Sequence, residues 1–140
     1  MKVMIACSTA FYDKIESIKQ TLEQNNHQVI TPNGYAEPGF DDDTNKMSEQ
    51  EYSDFFKKCY YASKDKIDRA DAILVLNYSK EKNGKTLENY IGASTFLEMY
   101  VAFMNNKKIY TINGYPDNML TDEIKGFSPI ILNGDINQIK

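Results

Sequence analysis

Residues 71–77, DAILVLN, constrain the fold more than any other stretch. Ala72 to Leu76 are all apolar, in a run too short for a typical helix. An exposed strand face would place a polar residue at every second position, so this segment reads as a strand buried on both sides. Such a strand needs a layer of structure above it and another below.

Four further segments have strand length: 2–8 (KVMIACS), 27–34 (HQVITPNG), 107–113 (KKIYTIN) and 128–134 (SPIILNG). Helical patterns lie between them. Phe11, Ile15, Ile18 and Leu22 recur at helical spacing, and Asn25 and Asn26 end that run. Ser48 followed by Glu51 is a capping-box signature that opens a long helix over 48–69. Residues 92–105 form a third helix and residues 119–125 a short fourth. Alternation of strand and helix around a doubly buried strand predicts an α/β fold with helices on both faces of a parallel sheet. The expectation is a single domain over residues 1–140, a flavodoxin-like three-layer sandwich with a five-stranded parallel sheet in the order 2-1-3-4-5. Ligands of such sheets sit at the carboxyl ends of the strands, near the switch between strands one and three. Residues 35–47, with Pro38, Gly39 and Asp41 to Asp43, read as a solvated loop without the spacing of an EF-hand calcium site. Residues 78–89 read as a polar loop.

Several function classes fall away. A net charge of −4 supplies no basic face for a nucleic-acid backbone. No apolar run approaches the roughly 18 residues of a membrane span. Met1 leads directly into a strand, without a signal-peptide pattern, so the expected compartment is the cytoplasm. With Cys7, Cys59 and the single His27 there is no ligand-spaced set, so no metal site is expected. A Ser-His or Cys-His nucleophile would have only His27, at the start of a strand. The turn after strand one, CSTAFYD, has no glycine, which excludes a dinucleotide fingerprint, and no P-loop is present. Strand three ends in Asn77, where a phospho-accepting receiver would carry an aspartate.

The 92–105 helix holds one acid, Glu98, in an otherwise apolar segment. Ser94, Glu98 and Asn105 form a narrow polar stripe, while Phe96, Met99 and Phe103 share a face and Leu97, Tyr100, Val101 and Met104 cover the rest. The stripe either faces solvent or faces a pocket. In a pocket, Glu98 would lie about one turn inside the helix, where the amino-end dipole favours the carboxylate. A sheltered carboxylate is a competent nucleophile toward an anomeric carbon, and its charge stabilises an oxocarbenium-like state.

The segments ADAILVLN and GASTFLEMYVAFMNNKKIY, joined by a polar loop, resemble the nucleoside 2-deoxyribosyltransferase superfamily over roughly residues 70–112. That family pairs an "aD.vv.l" strand with a "G-T-x-x-E-[ML]-G-x-A" helix and a "gKpi" strand. The resemblance implies the flavodoxin-like sheet, a nucleophilic glutamate at Glu98, and exchange or hydrolysis at the N-glycosidic bond of a (deoxy)nucleoside or nucleoside monophosphate. It also implies no metal or organic cofactor, and a homodimer or larger assembly with shared sites. This chain departs from the family at defined places. Tyr100 stands where a glycine is usual, and Gly92 where an aspartate commonly lies, with Asn89 the nearest polar substitute. Ser63 occupies another aspartate position, with Asp65 two residues off, and the first loop lacks its glycine.

The expected substrate-binding residues are Ser8, Thr9, Asn77, Asn89 and Ser94. Ser8 and Thr9 contact a sugar or phosphate, or cap a helix. Asn77, at the end of the central strand, reaches the ligand zone. Phe11 belongs to the core or, with Tyr12, stacks on a base. Cys7 reads as a small buried hydrophobe. Tyr60 and Tyr61 read as packing or interface residues. The apolar faces of the 92–105 helix, which a single sheet cannot cover, lead to an expected homodimer through this helix and the 48–69 helix. The leading function is cleavage or transfer at an N-glycosidic bond. The alternative is a nucleotide-binding or sensing module without chemistry. A phosphoribohydrolase of the "PGGxGT…E" type ranks last, because the chain lacks PGG.

Overall fold

A computed structural model describes residues 1–37, 40 and 44–140. Pro38, Gly39 and the Asp41–Asp43 run, read above as loop, lie outside the described residues. Five parallel strands form the main sheet: β1 (Lys2–Ala6), β2 (Gln28–Ile30), β3 (Ala72–Val75), β6 (Lys108–Thr111) and β7 (Ile130–Ile131). Their spatial order is β2-β1-β3-β6-β7, which is 2-1-3-4-5 when only these strands are counted. The sheet is flanked by helices α1 (Ile15–Gln24), α2 (Glu49–Arg69), α3 (Ala93–Met104) and α4 (Thr121–Gly126). This is a flavodoxin-like α/β arrangement.

The period of two along each strand sorts the core into two layers. Val3, Ile5, Ala72, Leu74 and Leu76 pack toward α1, where Ile15, Ile18 and Leu22 meet them. Met4, Ala6, Ile73 and Val75 pack on the opposite side with Ile67 of α2 and Met99 and Ala102 of α3. Both faces of β3 are buried, as its continuous apolar run demands. His27 is also buried, its ring held between the Met1 amine and the Ile139 carbonyl.

Three local departures have physical causes. The first helical segment does not begin as an α-helix: Thr9–Lys14 is a 3₁₀ turn, opened by Ser8, whose Oγ accepts from the Ala10 N–H at 3.3 Å. The 78–89 segment is a hairpin, β4 (Lys80–Lys82) against β5 (Lys85–Leu87), turning at Asn83-Gly84 with φ of 53° and 76°. Those positive angles favour the Asn-Gly pair, the signal by which the hairpin could have been read. The last sheet strand shortens to two residues.

Helix α2 starts as its sequence prescribes, with Ser48 and Glu51 bonding each other's backbone amides. At about 1.5 Å per residue it is about 30 Å long, and only Lys66 and Ile67, near its carboxyl end, are fully buried. Its amino half stands clear of the sheet beside α3. Leu97, Tyr100, Phe103 and Met104 of α3 remain exposed while Val101 is half-buried, so the apolar faces of that helix are covered only in part. Among the described residues, no helix is long and apolar enough to cross a membrane.

Candidate functional site

Between the overhanging half of α2 and the amino-terminal half of α3, at the carboxyl end of β1, lies a cavity of about 790 Å3. Small-molecule sites commonly fall between about 300 and 1,000 Å3. The turn after β1 contributes Cys7, Ser8, Thr9 and Tyr12; the segment after β2 contributes Pro32, Asn33, Gly34 and Phe40. Helix α2 supplies Phe55, Phe56, Cys59, Tyr60 and Ser63. Helix α3 supplies Ser94, Leu97, Glu98, Tyr100 and Val101, with Gly92 at its amino end.

Glu98 is half-buried on the wall of this cavity. Burial disfavours its charge and raises its pKa from 4.5 to about 7, against the opposing pull of a Ser63 hydrogen bond and the nearby Lys66 ammonium. Asn33 donates from Nδ2 to Ser63 Oγ at 2.9 Å and to the Cys59 carbonyl at 3.0 Å. Because Ser63 accepts from Asn33, its own proton is available to Glu98. The Asn33 carbonyl in turn accepts from the Tyr12 hydroxyl at 2.6 Å. The three elements around the carboxylate are thus tied together by neutral hydrogen-bonding groups. Behind them, buried Lys66 donates to the Thr31 carbonyl at 3.0 Å and pairs with Glu37 at 2.5 Å.

Other nucleophile candidates are kept neutral. Burial, with Glu98 adding to it, pushes the Cys7 thiol up to about 12. Cys59 is raised by burial as well, and so is Tyr12. A thiol held far above neutral pH is a poor nucleophile. Among the described residues, no three His, Cys, Asp or Glu side chains gather as metal ligands.

Four of the six residues expected from sequence meet here: Glu98, Ser8, Thr9 and Ser94 all line the cavity. Ser8 does so while also capping the 3₁₀ turn. Asn77 and Asn89 are not among the lining residues. Asn77 is fully buried; its Nδ2 donates to the carbonyls of Asn113 and Gly114, and its Oδ1 accepts from the Asn113 N–H. Asn89 takes a left-handed backbone, φ 54°, and donates to the Tyr115 carbonyl. Both amides serve loop backbone. Phe11 sits in the core, edge-on to Tyr78 and Tyr90, while Tyr12 reaches the cavity.

The α2 contribution and Asn33 escaped sequence reasoning. A signal existed in α2: Phe55, Phe56, Cys59, Tyr60 and Ser63 recur at intervals of three and four, one stripe of a helix. Ser63 also falls where the family resemblance places an acid. Gly92 occupies the other such place, with an ordinary φ of −79°, and a Cβ there would only graze Tyr90 at 3.5 Å. The backbone therefore does not require glycine, whose effect is to leave the amino end of α3 open to the cavity.

No family model matches the sequence, and no curated protein matches it. Solved structures do match the fold. The 2-deoxyribosyltransferase from the psychrotolerant bacterium Bacillus psychrosaccharolyticus superposes with a TM-score of 0.55 at 16% identity, over 88% of this chain and 81% of that one. The CMP N-glycosidase of Clostridium botulinum gives a TM-score of 0.52 at 18% identity, over 94% of this chain and 84% of that one. The chain has a nucleoside 2-deoxyribosyltransferase-like fold.

Proposed function

We propose that this fold cleaves or transfers the N-glycosidic bond of a (deoxy)nucleoside or nucleoside monophosphate, with Glu98 as nucleophile. The observation that carries the reading is the position of Glu98: among the described residues it is the one charged side chain lining a ligand-sized cavity. A Glu98 carboxylate oxygen bonds to the anomeric carbon as the carbon–nitrogen bond to the base breaks. The departing base keeps the bonding electrons and takes a proton from solvent. Water, or a second base, then displaces the glutamate and completes hydrolysis or transfer. The low polarity that raises the Glu98 pKa also strengthens its attraction to an oxocarbenium-like sugar. Aromatic side chains of α2 and α3 offer flat apolar surfaces for a base. Ser8, Thr9 and Ser94 offer hydroxyls to the sugar. The 2-deoxyribosyltransferase and CMP N-glycosidase activities of the structural neighbours support this class of reaction.

The test is base release from a panel of nucleosides and monophosphates, followed against pH. Only ionised Glu98 can attack, so kcat/KM should rise with pH through about 7 and level off above it. A profile flat from about pH 5 to 9 would contradict the nucleophilic role. A nucleotide-binding module without chemistry is the second reading. The presence of Gly92 and Ser63 at the two family aspartate positions favours it, and binding without base release would establish it.

We also propose a homodimer. Tyr60, Leu97 and Tyr100 line the cavity and are at least 43% exposed, so its rim is an apolar surface continuous with Phe103 and Met104. A second copy seated on this surface would close the cavity from outside. Light scattering at micromolar concentration should give twice the 16.1 kDa chain mass. A clean monomer would remove this part of the reading.

A further inference from the structure

The glycosidic reading, on which this inference rests, admits substrates with or without a 5′-phosphate. The charge distribution around the cavity separates them. Among the described residues, no arginine, lysine or histidine lines it, and the one formal charge is the Glu98 carboxylate. Residues 38, 39 and 41–43 are proline, glycine and aspartates, so no cation is among them.

No cationic side chain is among the described lining residues, although one ammonium stands beside the cavity wall. Lys66 is 7% exposed and bonded to Glu37 and the Thr31 carbonyl. The Lys58 ammonium lies 4.6 Å from the centre of the Phe40 ring, which lines the cavity, so this cation sits beside the wall; that of Lys80 lies 4.6 Å from the centre of Tyr90, which does not line it. The amino end of α3 opposes this trend: Gly92 provides no side-chain cap, leaving first-turn N–H groups available. Those groups amount to about half a positive charge, against the full negative charge of ionised Glu98 on the same helix. A phosphate dianion lodged between these walls would lose its hydration with no cationic side chain among the described lining residues and would face a like charge.

We propose that the cavity selects the uncharged nucleoside over its 5′-monophosphate. The apolar walls accept base and sugar, and the electrostatics exclude the ester. Burial first, and Glu98 after it, raise the pKa values of Cys7 and Tyr12, in keeping with a site that disfavours further negative charge on that side, whereas at Cys59 the pull of Lys58 and Lys66 opposes the rise.

The experiment measures calorimetric binding of the four 2′-deoxynucleosides and their 5′-monophosphates at low ionic strength and about pH 8, where Glu98 is ionised, together with base release from each. At least one nucleoside should bind, and its monophosphate should bind roughly tenfold or more weakly. Glu98→Gln should narrow that gap, and so should added salt. A monophosphate that binds as well as its nucleoside overturns the inference; if its base is also released, the glycosidic reading survives. Nucleoside preference without base release upholds the inference and sinks the glycosidic reading. The same pairs are measured for the four ribonucleosides, and absence of binding by all sixteen compounds overturns both.

Discussion

Glu98→Gln is expected to reduce base release by roughly 10³-fold or more, with little change in KM. Glutamine has nearly the same shape and can still accept a hydrogen bond from Ser63, so the cavity walls should hold their places. What it lacks is the negative charge and the electron pair that attack the anomeric carbon. The loss should fall on kcat, because the missing interaction develops with the transition state and not on binding. Steady-state base release from the best nucleoside measures the change, with circular dichroism as the control for folding. Equal rates in the two proteins would exclude Glu98 as the nucleophile. A large rise in KM at unchanged kcat would make it a binding group instead.

Asn77→Ala should act on stability instead of turnover, costing about 3 kcal/mol. The side chain is fully buried and joins the end of β3 to the chain leaving β6 through the Asn113 and Gly114 carbonyls and the Asn113 N–H. Alanine would leave the Asn113 N–H and the Gly114 carbonyl without their side-chain partner, while the Asn113 carbonyl would keep the Thr111 hydroxyl. In a chain of this size the melting temperature should fall by roughly 10 °C. KM and kcat for the folded fraction should stay near wild type. A variant that melts normally but loses substrate affinity would return Asn77 to the ligand-binding role its strand-end position suggests.

These two residues also show where sequence reasoning succeeds and where it stops. Strand β3 was legible because both of its faces are buried, and that imposes an unbroken apolar run. The capping box of α2 was legible because Ser48 and Glu51 satisfy each other's amides locally. Glu98 and Ser94 could be placed on one stripe because helical periodicity depends only on spacing. Asn77 could not be assigned in the same way. Its side-chain amide matches a peptide group in donors and acceptors, so a neighbouring backbone satisfies it as well as a ligand does. The α2 wall was hidden for another reason. Spacing places Phe55, Phe56, Cys59, Tyr60 and Ser63 on one stripe of the helix but does not say what that stripe faces, and Tyr60 read as a packing or interface residue. Asn33 lies in a turn, with no periodicity to place it opposite Ser63.

The sheltered carboxylate also links reactivity to folding. In the unfolded chain Glu98 titrates near 4.5, and in the folded chain near 7. Between those values the folded state binds more protons, so the stabilisation present below pH 4.5 is lost progressively as pH rises through about 7. The protein therefore gives up stability over the same pH range in which its nucleophile becomes competent. Ionised Glu98 is a strained ground state, and a cationic sugar would relieve that strain. On this view the neutral net around it, formed by Asn33, Ser63 and Tyr12, holds a charge in place without neutralising it. An aspartate at position 63 would add a second negative charge beside Glu98, whereas the serine supplies a proton donor at no electrostatic cost.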